Sequence, residues 1–328
     1  MSLHPQSAAF LDRLAETGMP ELSQVSVPTI REVMSGLRQA QGPAQSVESV
    51  IDTYVPGPAG LLPIRVYQPA AHGGPRPLVV FLHGGGWIAG DIELLDRPLR
   101  SLAHATGAVV ASVEYRRSPE TRFPGPLEDA YAAVSALAGR AAEFGADAGR
   151  LVVAGESAGG NLAAAVCLMA RDRGGPSIDL QILICPSLAP ADDSPFASYG
   201  QYATGHLNTR AAMTHFWDLY LPSPAEAENP YAAPLLATDH TDLPPALILT
   251  AECDPLRDEA EEYGRRLRVS GVTATTRRYD GALHVFFLLP AMTAAQQAVK
   301  DISRALRTHY QPSGTPHRPA EGASSAQL

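Results

Sequence analysis

The sequence predicts an α/β fold, a mostly parallel sheet flanked by helices, with a helical cap over one edge. Three observations carry that expectation. Runs dense in Val, Ile and Leu recur at LVVFL (78–82), AVVASVEY (108–115), RLVVAG (150–155), LQILIC (180–185) and ALILTA (246–251). Strands this continuously apolar are buried on both faces. Glycine or proline turns and helical stretches separate them, as at LEDAYAAVSALAGRAAEF (127–144) and GGNLAAAVCLMARDR (159–173); strand, turn and helix in repetition build a parallel sheet covered by helices. Finally, residues 187–242 break the alternation. They show no strand pattern, yet a helix around 208–220 places Met213, Phe216, Trp217 and Tyr220 at i, i+3, i+4 and i+7. Such an insertion predicts a cap above the strands' carboxyl ends, where α/β proteins bind ligands.

In chain order, residues 1–45 read as helical, with Phe10, Leu11 and Leu14 on one face and Val33, Met34 and Leu37 on another, and they are assigned to the cap. After Gly42-Pro43 the pattern turns β-rich. SVIDTYV (49–55) and LPIRVYQP (62–69) flank PGPAG, which reads as a hairpin. Residues 46–186 and 243–310 form the expected core, with TATTRRY (273–279) as a further strand, and 187–242 form the cap insertion. The tail 311–328 has almost no apolar content and is expected to be disordered.

Composition removes several chemistries. The chain has 328 residues, 45% apolar and 18% charged, enough to bury a core without disulfides or metal. Of its 25 basic residues only Lys300 is a lysine. A phosphate-binding P-loop needs a Lys after its glycines, whereas Lys300 follows Ala298 and Val299; Schiff-base chemistry needs a Lys in a pocket, whereas Lys300 sits in a polar helical stretch. A net charge of −9 without a basic block predicts no nucleic-acid or anionic-lipid partner. The run Val285–Met292 is too short to span a bilayer. With no basic-then-apolar leader at the N-terminus and an odd number of cysteines (Cys167, Cys185 and Cys253), the chain is expected to be cytoplasmic with free thiols.

The chemistry concentrates in three places. GESAGG (155–160) fits G-x-S-x-G and stands where a strand must turn into a helix, the context of a nucleophile elbow with Ser157 at its tip. Upstream, HGGGW (83–87) follows another strand; successive glycines let backbone N–H groups face a substrate, making Gly85 and Gly86, together with Ala158, the expected oxyanion donors. His83 reads as a residue that orients this loop. In chain order an acid and then a histidine should follow the serine. Asp254, after ALILTA, is the expected acid, with Glu252 its nearest competitor; Asp258 and Glu259 fall on the next helix as solvated or paired carboxylates. His284, in YDGALHVFF, is the expected base, and activity should fall below about pH 6 as it protonates.

Together HGGGW, EYRRSPETRFPGPLEDA (114–130), GESAGGNLA (155–163), CDPLRDEA (253–260) and YDGALHVF (279–286) resemble the hormone-sensitive-lipase-type (bacterial family IV) carboxylesterases of the α/β-hydrolase superfamily, over roughly residues 45–310. The resemblance implies the triad Ser157, Asp254 and His284, oxyanion donors Gly85, Gly86 and Ala158, no metal or cofactor, and a small-molecule ester with a short-to-medium acyl chain as substrate. It also implies a homodimer in many members. The sequence departs in placing Glu156 where Asp is usual, RRSPE for the common RLAPE, and Val285 where Gly usually follows the histidine. Trp87, Phe216, Trp217, Phe286 and Phe287 are the expected pocket residues, being on the cap helix or beside the glycine and histidine motifs. An acyltransferase or cyclase using the same cavity is the alternative reading; a ligand-binding pseudoenzyme fits less well, since all three triad positions are filled.

Overall fold

In the computed structural model, which describes residues 3–70, 74–192 and 194–310, eight strands form one sheet. They are β1 (Ser49–Gly57), β2 (Gly60–Gln68), β3 (Leu78–Leu82), β4 (Val109–Val113), β5 (Leu151–Glu156), β6 (Leu180–Ile184), β7 (Ala246–Cys253) and β8 (Ala274–Leu283). Their spatial order is β1-β2-β4-β3-β5-β6-β7-β8. The β1–β2 hairpin turns at Gly57 and Gly60, β2 pairs antiparallel with β4, and β3 to β8 are parallel. The expected tail at 311–328 lies outside the described residues.

Alternation along the strands splits the core into two layers. Val80, Leu82, Val153, Leu183 and Ile248 point to one face, covered by α4 (Gly125–Arg140), α5 (Ala158–Arg173) and α8 (Arg257–Val269) through residues such as Leu127, Leu162 and Leu267. Val79, Phe81, Val152, Ile182 and Leu249 point to the other, covered by α3 (Ile92–Thr106) and α9 (Thr293–Tyr310) through Leu95, Leu99, Ile302 and Leu306. Both faces are therefore dry, which is why the strands read as unbroken apolar runs. Local signals set the helix ends. For α3, Asp91 caps the start by accepting from Leu94 N–H at 2.6 Å, and Gly107, left-handed at φ 70°, stops it.

The remaining helices gather over the carboxyl ends of the strands. α1 (Pro5–Glu16) and α2 (Val27–Gly36) precede the sheet, and α6 (Ala197–Gln201) and α7 (Arg210–Tyr220) lie in the segment between β6 and β7. Thr209 Oγ1 donates to Glu21 Oε1 at 2.7 Å, tying the two pieces together. Arg31 on α2 clasps the body, donating to Ile88 O, Ser118 O and both oxygens of Glu120. Residues 229–242 run back along the body. There Ala232 O accepts from Asn161 on α5, and Leu235 O accepts from Arg266 on α8.

Candidate active site

The turn from β5 into α5 is as tight as glycine allows. A Cβ on Gly155 would stand 2.1 Å from Gly159 O, and one on Gly159 would stand 2.0 Å from Leu82 O. Ser157 between them adopts φ 56°, ψ −119°, a strained backbone for an L-residue. Three hydrogen bonds hold it there. Its N–H donates to Ile184 O at 2.8 Å, and its carbonyl accepts from Asn161 N–H at 3.0 Å and Ser187 N–H at 3.2 Å. The hydroxyl is thereby presented at the start of α5.

His284 follows β8 directly and opens a 3₁₀ turn over 284–288. Ser157 Oγ lies 2.9 Å from its Nε2, and its Nδ1 lies 2.7 Å from Asp254 Oδ2. Nδ1–H donates to the carboxylate, which leaves Nε2 free to accept the serine proton. The second carboxylate oxygen, Oδ1, accepts from Asn208 Nδ2 at 3.2 Å and Leu256 N–H at 3.1 Å. Burial opposes a charged imidazole, but the Asp254 carboxylate and its hydrogen bond, joined by Glu156 and Glu259, outweigh it and raise the His284 pKa. Glu252 serves elsewhere, accepting from Gly281 N–H at 2.7 Å. Asp258 pairs with Arg257 at 2.7 Å. Glu259 departs from expectation. It is fully buried without a cation, accepting from Leu188 N–H at 2.7 Å and Tyr199 OH at 3.0 Å, and burial lifts its carboxyl to about 8.

The glycine loop faces the serine. The N–H groups of Gly85, Gly86 and Ala158 donate to no other described residue, so all three are available to an oxyanion. Gly86 has φ +61°, and a Cβ there would come 2.5 Å from the Phe216 ring, so only glycine fits beneath that ring. His83 is buried behind the loop. It stacks on Tyr115 with ring centroids 4.1 Å apart, and its Nδ1 lies 2.9 Å from Gly84 O. Burial lowers its pKa, keeping it neutral.

A narrow cavity of about 50 Å³ opens over Ser157. The N-terminal segment supplies Met19, Leu22, Ile30, Val33, Met34 and Leu37 to its wall, and the insertion supplies Leu207, Asn208, Met213 and Phe216. Val285 and Leu288 complete it beside His284. Four expected pocket residues are corrected. Trp87 turns inward, stacking on Tyr220 at 4.3 Å and meeting Trp217 at 4.7 Å, so neither tryptophan borders the cavity. The α7 stripe divides: Met213 and Phe216 look onto the cavity, while Trp217 and Tyr220 anchor the helix to the glycine loop. Phe286 packs on Tyr279 at 5.0 Å and Phe287 on Phe81 at 5.7 Å. In a 3₁₀ turn positions i and i+3 eclipse, so Val285 and Leu288 share the cavity face and the phenylalanines between them face the core.

A family model described as the alpha/beta hydrolase fold matches residues 79–288. The carboxylic ester hydrolase LipN of Mycobacterium tuberculosis is 41% identical over 287 residues, spanning 85% of this chain and 75% of its own. An arylesterase of Saccharolobus solfataricus is 33% identical over 291 residues, spanning 88% and 94%. The crystal structure of a thermostable esterase from Pseudomonas putida ECU1011 matches with a TM-score of 0.89 at 37% identity, covering 95% of this chain and 98% of that one. The chain belongs to the α/β-hydrolase family, in its hormone-sensitive-lipase-like branch.

In this α/β-hydrolase, sequence reasoning missed Asn208, the six cavity residues of the N-terminal segment, and the placement of Glu156 in the cavity wall. Asn208 stands in no motif; its signal would have been the need of a buried Asp254 for a second donor. Cys185 Sγ lies within 4.8 Å of ligand atoms of both Asp254 and His284. Both His284 ring nitrogens are already engaged by Ser157 and Asp254, and burial holds the Cys185 thiol protonated, so this cluster of the α/β-hydrolase is a hydrogen-bonded Ser–His–Asp chain with a neighbouring thiol rather than a set of metal ligands. Among the described residues no helix is long and apolar enough to cross a membrane.

Proposed function

We propose that this α/β-hydrolase cleaves uncharged carboxylic esters with acyl chains of about C2 to C8 through an acyl-enzyme on Ser157. The observation that carries the reading is the continuous relay from Ser157 Oγ to His284 Nε2 at 2.9 Å and from His284 Nδ1 to Asp254 at 2.7 Å, beside three free N–H donors. His284 takes the serine proton as Oγ attacks the carbonyl carbon, and Gly85, Gly86 and Ala158 hold the oxyanion. Asp254 stabilises the imidazolium without taking its proton. His284 then protonates the leaving alcohol, and a water deprotonated by the same nitrogen releases the acid.

The cavity supports the substrate class. Its lining is apolar apart from the catalytic groups, Asn208 and Glu156, which suits an uncharged acyl chain. The decisive experiment follows p-nitrophenyl butyrate hydrolysis by the wild type, Ser157→Ala, Asp254→Asn and Glu252→Gln. The first two variants should lose about three orders of magnitude or more while remaining folded, and Glu252→Gln should stay within about tenfold of wild type. Turnover by Ser157→Ala at the wild-type rate would sink the reading; Asp254→Asn active with Glu252→Gln inactive would move the acid to Glu252.

A further inference from the structure

One buried ionisable group in the catalytic cavity has no part in the steps above. Glu156 ends β5, is 2% exposed and lines the cavity beside Ser157 and His284. Its Oε1 lies 3.9 Å from His284 Nε2, too far for a direct hydrogen bond. Its Oε2 is buried without a partner and pressed against the glycine loop, where a Cβ on Gly84 would come within 1.8 Å of it. Neither oxygen receives a hydrogen bond from a described residue, and no Arg or Lys lies along the described cavity wall. A buried carboxyl of this kind costs stability unless something polar reaches it.

A gap of 3.9 Å between two polar atoms is bridged by one water about 2.8 Å from each. Once Ser157 is acylated, Oγ has no proton to share and the Nε2 lone pair is open to such a water. Elsewhere the cavity of the acyl-enzyme offers a water little, because the Gly85, Gly86 and Ala158 N–H groups face the acyl carbonyl oxygen, Asn208 Nδ2 is committed to Asp254, and the remaining walls are aliphatic or aromatic; a held water needs two or more polar partners.

We propose that Glu156 is the positioning residue for the water that hydrolyses the acyl-enzyme, holding it between Oε1 and His284 Nε2. The inference rests on the ester-hydrolase reading above. The water oxygen bonds to the acyl carbon while one of its protons passes to Nε2, and the other stays hydrogen-bonded to Glu156. The tetrahedral intermediate collapses with cleavage of the carbon–Oγ bond, Oγ takes the proton back from Nε2, and the free acid leaves. Burial holds the Glu156 carboxyl up at about 7, so near neutrality it can either accept from that water or donate to it. Without Glu156, water loses its advantage over an alcohol entering the same cavity, and the enzyme shifts from hydrolysis toward acyl transfer.

The test separates deacylation from acylation. With p-nitrophenyl acetate, the full chain is followed through the pre-steady-state release of p-nitrophenolate and then the steady state. In a second arm, 1-butanol is added and the ratio of butyl acetate to acetic acid is measured. Glu156→Leu should show a Ser157-dependent burst, steady-state turnover slowed about tenfold more than the burst, and an ester-to-acid ratio raised about tenfold. Glu156→Gln retains an acceptor oxygen and should restore both to within about threefold of wild type. Should Glu156→Leu not fold, Glu156→Ala removes the same oxygens and carries the same comparison. Equal slowing of burst and steady state, an unchanged ester-to-acid ratio, or Glu156→Gln as defective as Glu156→Leu overturns the proposal. Failure of the underlying reading would look different, because the wild type would then release no p-nitrophenolate in a Ser157-dependent manner.

Discussion

Asn208 donates its Nδ2 to Asp254 Oδ1 at 3.2 Å, so a residue of the segment covering the site holds the carboxylate whose other oxygen receives His284 at 2.7 Å. Asp254 is fully buried, and its only other donor to Oδ1 among the described residues is Leu256 N–H. A hydrogen bond to a buried charge contributes about 1.5–3 kcal/mol. Asn208→Ala is therefore expected to lower kcat/KM by about tenfold or more. Asn208→Asp, which sets a second carboxyl against the first, should lower it further. Wild-type turnover in Asn208→Ala would show that the acid needs no help from the covering segment.

The proposed mechanism requires neutral His284; burial favours that form, but the Asp254 carboxylate and its hydrogen bond, with Glu156 beside them, outweigh burial and favour the protonated form. The acid limb of kcat/KM should therefore have its midpoint above the ordinary imidazole value of about 6.5, higher than the loss below about pH 6 expected from an isolated histidine. Activity is lost as pH falls through that midpoint. A pH–rate profile with its midpoint at 6 or below would show that desolvation, rather than the carboxylates, dominates.

Gly86 and Phe216 are matched in space, since a Cβ on Gly86 would lie 2.5 Å from the ring. Gly86→Ala should cost about 100-fold in kcat by displacing an oxyanion donor, a loss of about 3 kcal/mol. Phe216→Ala instead enlarges the cavity and should raise the rate on p-nitrophenyl octanoate relative to the butyrate severalfold. An unchanged chain-length profile would place the acyl group elsewhere along the wall.

Glu259 makes stability pH-dependent. Its carboxyl is lifted by burial to about 8 in the folded chain, against about 4.3 when unfolded, so the folded state holds this proton more tightly. Stability from this group is full below about pH 4 and is lost as pH rises toward 8. Thermal unfolding of the wild type should drop between pH 5 and pH 9, and Glu259→Gln, which cannot ionise, should shrink that drop by a few degrees. An identical drop in the variant would mean that the Leu188 N–H and Tyr199 OH donors already stabilise the anion.

Much of the architecture is legible in the sequence. LVVFL is β3 residue for residue, Leu78–Leu82, and the hairpin, the strand before Ser157 and the helix after it stand where the turn residues placed them. The histidine was legible as the partner of the serine because fold order demanded one after the last strands. Less legible were the edges. β7 extends through Glu252 to Cys253 and β8 through Leu283, so Glu252 is a strand residue bonded to Gly281 and not a loop acid. The aromatic residues misled for a simple reason. Proximity in sequence to Gly86 or His284 does not fix which way a side chain points, and Trp87, Phe286 and Phe287 each had a deeper apolar surface to join.

The alternation of apolar faces along the strands, and the glycines that permit the elbow and the glycine loop, can be read from the sequence alone. These follow from local sterics and from periods of two and 3.6 residues, which need no knowledge of distant neighbours. Tertiary structure alone decided what stands around that chemistry. It brought Asn208 to the second oxygen of Asp254, turned Phe216 rather than Trp217 onto Gly86, and left Glu156 buried beside His284 without a partner. Those outcomes depend on how two segments far apart in the chain, the N-terminal helices and the insertion, settle on one sheet edge. Several of their apolar faces could have met the sheet, and close packing selects among them by fit across the whole contact, which no single stretch of sequence encodes.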